Sequence, residues 1–358
     1  MQKFRDRKVT ELFFSQSDIT LRVNFLLLLI ILITISLLSS LAVTWLLIGF
    51  LQRRQILDRP NHRSSHHQPT PRGGGIAVLA AIVLAWITAV GLGLLPETLL
   101  IVLALAVGLG VICFIDDLRG LGARPRFISQ FAAVVMGLAV LPNGGLFANE
   151  LPAVLDLAIT AVVWLWFINL FNFMDGIDGI TGVETMVISC GLCGLIWLTG
   201  GSDWIFATSL TIAGAALGFL IWNWHPARIF LGDVGSIPLG FLLGWLCIAV
   251  AGQSPGVGSV PWTAVLILPL YYFFDATGTL LSRLWRRQNI FEAHREHAYQ
   301  RAVIHGRRHD QVSAAVAICG LGLWLAALVI TPVTVIGGLL AAIIIVAGLL
   351  AWMRRPKT

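Results

Sequence analysis

Eleven stretches of apolar residues, each close to the length of a bilayer crossing, constrain this chain more than any other feature of its sequence. They run approximately over 23–50, 76–95, 98–115, 127–141, 153–169, 181–199, 204–222, 236–251, 261–281, 313–330 and 335–353. A hydrocarbon layer roughly 30 Å thick needs about 20 helical residues to cross it. With 57% of its 358 residues hydrophobic and only 12% charged, the chain has too little charge for a soluble domain of this size. The expected fold is all-α, a polytopic integral membrane helical bundle of about 11 transmembrane helices. Residues 1–22 form a basic N-terminal segment, 23–353 the transmembrane domain and 354–358 a basic C-terminal tail.

Basic residues set the expected orientation. Alternating the eleven runs places 52–75, 116–126, 170–180, 223–235, 282–312 and 354–358 on one side of the membrane. Those segments hold 19 of the 24 Lys and Arg, residues 1–22 hold the other five, and the opposite turns hold none. By the positive-inside rule the first side is cytoplasmic, and the C-terminus lies there. The net charge of +6 is thus a membrane-topology signal, and no nucleic-acid partner is expected. Eleven crossings put the amino terminus on the opposite side despite Lys3, Arg5, Arg7, Lys8 and Arg22. The first run is longer than a signal-peptide core, so it is expected to remain as a span.

The polar residues concentrate at the ends of these runs. Asn169, Asn172, Asp175 and Asp178 recur every third residue in 168–180, a spacing that on helical winding lines four oxygen-bearing side chains along one side of a helix end. Gly176 and Gly179 leave room there for a phosphate or a neighbouring helix. Asp116 and Asp117 emerge at the end of the third run, followed by Arg119, Arg124 and Arg126. Two adjacent carboxylates repel, so a cation or a basic group is expected beside them. Asp233 sits in a glycine-flanked turn that opens the eighth run, where it could cap the helix or ligate a metal. Five carboxylates from three loops on one face suit a divalent cation.

Residues 58–75 are rich in His, Arg and Gly, with Arg63, His66 and Arg72 preceding Gly73-Gly74-Gly75. Three glycines before a helix read either as a backbone N–H nest for phosphate or as part of a proline-stiffened basic anchor. The loop 282–312 carries His294, His297, Arg301, His305, Arg307, Arg308 and His309. It reads as a polyanion-binding segment or a basic loop lying on an anionic leaflet. Asp275 falls within the ninth run, as a functional carboxylate or a helix-to-helix hydrogen bond. The five cysteines lie in apolar runs and read as packing. Trp45, Trp86, Trp164, Trp166, Trp222 and Trp224 near span ends read as interfacial anchors.

In their order along the chain, the loop 58–75, Asp116-Asp117, Asn169 to Gly179, Gly232 to Ser236 and the His294/His297 loop resemble the polyprenyl-phosphate N-acetylhexosamine-1-phosphate transferases. That resemblance implies an active site on the cytoplasmic face of a bacterial inner (plasma) membrane. It implies transfer of a sugar 1-phosphate from a UDP-HexNAc donor to an undecaprenyl phosphate acceptor, releasing UMP. Mg²⁺, with Mn²⁺ as a substitute, is the implied cofactor, and membrane lipids are partners alongside the two substrates. By motif matching, Asp233 and Asn172 hold the metal, and Asp116 and Asp117 act as catalytic residues that organise the lipid phosphate or the nucleophile. The implied substrate-binding residues are Arg63, His66, Arg72, Arg124, Asn169, Asp175, Asp178, His294 and His297. A homodimer is left open.

Within that family, Pro69-Thr-Pro-Arg-Gly-Gly-Gly75 and His294-Arg-Glu-His-Ala-Tyr-Gln300 look most like the members that initiate O-antigen synthesis. This favours a 6-deoxy-N-acetylhexosamine donor, such as UDP-FucNAc or UDP-QuiNAc, over UDP-GlcNAc. The pattern is departed from in two places: His294 and His297 stand three apart where many members carry His-x-His, and Arg124 stands where several carry Lys. A transporter of anionic solutes is the rival from another class. Its ionisable groups would be expected near the bilayer midplane, whereas here they gather at one face.

Overall fold

The computed structural model describes residues 16–60, 68–120, 122–142, 144–147, 150–252, 260–289, 292, 294–331 and 333–356. Most of them are helical, because a backbone in hydrocarbon must satisfy its N–H and C=O groups within its own segment. The helices are α1 (Gln16–Arg53), α2 (Gly75–Gly91), α3 (Thr98–Arg119), α4 (Ala123–Ala139), α5 (Ala153–Phe173), α6 (Ile180–Thr199), α7 (Asp203–Asn223) and α8 (Asp233–Ala251). After them come α9 (Trp262–Ile267), α10 (Leu270–Tyr272), a π-helical turn (Phe273–Thr277), α11 (Gly278–Trp285), α12 (Ala298–Ile304), α13 (His309–Leu328) and α14 (Val335–Arg354). One two-stranded antiparallel ribbon pairs β1 (Leu57–Asp58) with β2 (Thr70–Pro71).

Each of the eleven apolar runs contains helix. Among the described residues, eight helices are long and apolar enough to cross a membrane. The runs that fall short do so for visible reasons. Helix α2 has only 17 residues, α4 opens with Arg124 and Arg126, and the ninth run is broken before Leu270 by Pro269 and again by the π turn. Large apolar side chains such as Ile30, Trp45, Ile128, Trp197, Ile318 and Ile344 face outward, as a lipid-facing surface requires.

Helix α8 is the axis of the bundle, and from Val234 to Ala251 every residue is buried. It packs against α2, α3, α5, α6 and α9. Small residues allow the close approach. A Cβ on Gly75 would fall 2.1 Å from the Gly235 Cα, so α2 and α8 cross backbone to backbone. Gly75→Ala is therefore expected to overpack this crossing and cost about 1–3 kcal/mol. Gly91→Ala, in the same helix with nothing within 4 Å, is expected to be neutral. Thermal unfolding of the two variants in detergent checks the contrast.

Two of the tryptophans expected as interfacial anchors are core residues instead. Trp86 and Trp164 are fully buried, and each indole N–H has a partner on a neighbouring helix: Thr211 Oγ1 at 2.8 Å and the Phe241 carbonyl at 3.1 Å. A satisfied indole N–H removes the reason for that ring to seek the water interface.

Candidate active site

Because α8 begins at Asp233, that carboxylate stands at one end of the bundle's axis. Gly232, with φ at +74°, makes the sharp entry, and the Asp233 side chain does not cap the helix. Helix α3 brings Asp116 and Asp117 to the same end in its last turn, before Gly120 at φ +66° terminates it. Two guanidinium groups join the three carboxylates. Arg72 Nη2 lies 2.7 Å from Asp233 Oδ1 and 3.3 Å from Asp117 Oδ1. Arg126 Nη1, from the first turn of α4, lies 2.6 Å from Asp233 Oδ2 and 3.2 Å from Asp116 Oδ2. Each arginine thus bridges one α3 carboxylate to Asp233, which answers the expected need for positive charge beside the pair. Burial opposes the charge on Arg72, but Asp233 and Asp117 more than restore it and hold its pKa above the ordinary arginine value.

Arg72 reaches this position because the glycine run after it is a seam. The N–H groups of Gly73 and Gly74 donate to the Phe230 carbonyl at 3.1 and 2.9 Å, and that of Gly75 to the Leu231 carbonyl at 2.9 Å. Phe230 N–H in turn donates to the Pro71 carbonyl at 2.8 Å. The phosphate nest considered for these glycines is therefore not formed, since all three amides are spent joining 71–75 to 230–231, the approach to α8.

The expected row of four polar side chains is also not formed, because α5 stops at Phe173 and helical winding does not carry through to Asp175 and Asp178. Asn172, in the last helical turn, donates its Nδ2–H at 2.9 Å to the Oγ of Ser236, which is three residues after Asp233 in α8. Asn169 faces α4 and donates to Gln130 Oε1 at 2.9 Å, bracing the helix that carries Arg126. Asp175 accepts from Thr181 Oγ1 at 2.7 Å, and burial pushes its carboxyl up to about 6, while Arg72 and the Thr181 hydrogen bond act the other way. Asp178 turns into a different pocket. His225 Nδ1 lies 2.6 Å from its Oδ2, His309 Nδ1 3.2 Å from its Oδ1, and Ala227 N–H donates to Oδ2 at 3.1 Å. Burial would raise this carboxyl, but the bonds from His309, His225 and Ala227 hold it below the usual carboxylate range. Asp178 thereby ties the turn after α5 to the loop before α8 and to the start of α13.

The His294/His297 segment is anchored by the π turn. Asp275 accepts the backbone N–H of Ala298 at 2.8 Å and of Tyr299 at 3.3 Å, so the buried carboxylate of the ninth run fixes the start of α12. His297 is buried at the N-cap of α12, with Nδ1 3.5 Å from Asp275 Oδ1 and its ring stacked on Tyr299. His294 packs against His297, and burial with that neighbour pushes its pKa down to about 4, so it is neutral at physiological pH. Tyr299 Oη donates to the Phe173 carbonyl at 3.0 Å, and a Cβ on Gly176 would fall 2.2 Å from it. The room at Gly176 is thus taken by a neighbouring helix, and α12 leans on the turn that carries Asp175.

Comparison with known proteins now bears on this arrangement. The family model "Glycosyl transferase family 4" matches residues 99–251, the stretch that holds Asp116, Asp117, Asn172, Asp175, Asp178 and Asp233. A phospho-N-acetylmuramoyl-pentapeptide-transferase of Geobacillus kaustophilus is 33% identical over 235 residues, covering 59% of this chain and 72% of the relative. The chain belongs to glycosyl transferase family 4. A probable undecaprenyl-phosphate N-acetylglucosaminyl 1-phosphate transferase of Bacillus subtilis is 27% identical over 312 residues, 84% of either chain. A decaprenyl-phosphate N-acetylglucosaminephosphotransferase of Mycolicibacterium smegmatis is 35% identical over 214 residues, 54% of this chain and 53% of that one.

In this membrane-bound glycosyl transferase family 4 protein, Asp116, Asp117, Asp233, Arg72 and Asn172 come together, with Asp175 in electrostatic range of Arg72 and Asp233. Asp178, His294 and His297 sit in adjoining structure. Arg63 and His66 lie outside the described residues. Arg124 is exposed, and the guanidinium that reaches the carboxylates is Arg126, which the sequence reading left out of the site. On a helix, residues two apart point about 200° from one another, so only one of the pair faces α3. The fold also brings His225, and His309 of the basic loop, to Asp178. Neither lies near Asp178 in sequence.

Proposed function

We propose that this protein transfers a HexNAc 1-phosphate from a UDP-HexNAc to undecaprenyl phosphate on the cytoplasmic face of a bacterial inner membrane, its chain crossing the bilayer eleven times. The observation that carries this reading is the cluster of Asp116, Asp117 and Asp233 bridged by Arg72 and Arg126, with Asn172 beside it. An oxygen of the lipid phosphate forms a new bond to the sugar-bearing phosphorus, and the bond from that phosphorus to the UMP oxygen breaks. The products are a lipid-linked sugar diphosphate and UMP. A phosphate monoester has a second pKa of about 6, so the attacking oxygen is largely ionised at neutral pH and no obligatory base is needed.

The donor set suits a hard cation, since Asp233 and Asn172 offer oxygens where three carboxylates outnumber two arginines. These two residues hold Mg²⁺ in this reading, and bound there it would neutralise charge building up on the diphosphate. Asp116 and Asp117 orient the acceptor phosphate. Arg72 and Arg126 are placed to exchange carboxylate partners for phosphate oxygens, which their planar forks match. Asp175 completes the donor site, Asp178 positions its loops, and the His294/His297 segment lines the sugar side. The motifs at 69–75 and 294–300 favour an O-antigen-type role with a 6-deoxy-HexNAc donor.

The test is a panel of UDP-GlcNAc, UDP-FucNAc and UDP-QuiNAc, offered with undecaprenyl phosphate to the purified protein, with the lipid product detected directly. Product is expected with Mg²⁺, none is expected after chelation, and re-addition is expected to restore the rate. Lipid product formed equally well in chelator would remove the metal from the reading. No product from any donor, together with solute uptake into proteoliposomes, would replace the transferase with a carrier.

A further inference from the structure

The 282–312 loop contributes to a second cluster that the proposed reaction does not use. A cavity of about 110 Å³ opens between the π turn, α11, α12 and the end of α14, lined by Arg286, Arg301, Arg354, Glu296, Phe274 and Leu350 among others. That is well above the roughly 10–15 Å³ that a single water needs. Its depth follows from the helices that frame it. Arg354 is the last residue of α14, a candidate span, and Arg286 is the first residue after α11. Arg354 thus stands at the end of a candidate span, and Arg286 just beyond the ninth apolar run. Nearby on α11, Leu281, Leu284 and Trp285 are exposed, Trp285 by 90%, as side chains in contact with lipid would be.

The charges in the cavity are unevenly spent. Glu296 is hydrogen-bonded to Arg283 and Arg286, and Arg301 Nη2 lies 3.5 Å from it. Asp275, on the cavity wall, gives its two oxygens to the Ala298 and Tyr299 amides. Three arginines therefore face one shared glutamate and one committed aspartate, and the Arg354 guanidinium pairs with no described residue. Guanidinium groups at headgroup depth with apolar walls beside them match a phosphate ester carrying hydrocarbon chains.

We propose that this cavity binds the phosphate headgroup of an anionic phospholipid of the surrounding leaflet, with the acyl chains running along Phe274 and Leu350. Glu296, Ala298 and Arg301 belong to the cavity wall and flank the His294/His297 segment, so an occupied cavity clamps that segment against α14. The cavity is lined by residues other than those of the Asp233 cluster, and this inference stands whether or not the transferase reading does.

The experiment follows the thermal unfolding midpoint of the full-length protein in mixed micelles, titrated with phosphatidylglycerol, with phosphatidylcholine or with inorganic phosphate. Phosphatidylglycerol is expected to raise the midpoint saturably, while the other two leave it unchanged. Arg354→Gln is expected to raise the half-saturating lipid fraction about fivefold, the factor corresponding to roughly 1 kcal/mol per interfacial arginine. Arg354→Lys is expected to keep most of the response, and Arg53→Gln, at the end of α1, all of it. Equal stabilisation by phosphatidylcholine or by inorganic phosphate would overturn the proposal. So would a loss in Arg53→Gln matching that in Arg354→Gln, because the effect would then be diffuse surface charge.

Discussion

Asp233→Asn is expected to lower the turnover of lipid-linked product by roughly 10³-fold or more, at the upper end of what removal of one placed electrostatic group costs an enzyme. The substitution keeps the shape of the side chain and removes the one charge that both Arg72 and Arg126 contact. Two consequences should appear together. In the proposed reading a cation would lose its carboxylate ligand, and each arginine is left with a single partner on α3, so phosphate oxygens would meet guanidinium groups in altered positions. The variant should still fold, because α8 is buried along its whole length by apolar packing that the substitution does not touch. Product formation at saturating Mg²⁺ checks the first point, and a melting temperature close to that of the parent checks the second. A near-normal rate would remove Asp233 from the reaction.

Arg126→Ala and Arg124→Ala, two residues apart on one helix, are expected to differ by about two orders of magnitude in kcat/KM. Arg126 bridges Asp116 and Asp233, and its loss leaves two partly buried carboxylates without their nearest cation. The expected fall is about 10²-fold, the lower end of the range for a displaced electrostatic group. Arg124 is exposed and touches none of the three carboxylates, so its loss should leave the rate within about twofold, as exposed single charges do at physiological salt. Steady-state kinetics on both variants, with donor and acceptor varied in turn, decides the matter. Equal losses would mean that α4 turns in the working enzyme and presents both arginines.

The pair of variants also shows where reading a sequence stops. Apolar runs displayed the all-helical membrane architecture, because lipid leaves the backbone few choices. The end-of-span positions of Asp116, Asp117 and Asp233 pointed to the one-sided cluster that the fold assembles, because carboxylates avoid the hydrocarbon. Local pattern failed wherever the deciding partner lay far along the chain. The amides of Gly73 to Gly75 looked free for phosphate, yet their acceptors are the carbonyls of Phe230 and Leu231. Asn169 to Asp178 kept a helical period on paper, but the helix ended at Phe173, so Asp178 swung to His225 and His309. Trp86 and Trp164 read as interfacial anchors in sequence, but both lie inside the bundle, where their indole N–H groups have partners.

The paired arginine bridges carry one more implication, for biogenesis. With Arg72 and Arg126 acting as built-in counter-ions, two of the three aspartate charges at the polar end of the bundle are offset within the protein itself as its helices assemble. Loading the enzyme then becomes a trade of partners. Were Asp233 and Asn172 to hold a cation as proposed, it would supply positive charge to the carboxylates, and Arg72 and Arg126 would then be able to trade carboxylate partners for phosphate oxygens.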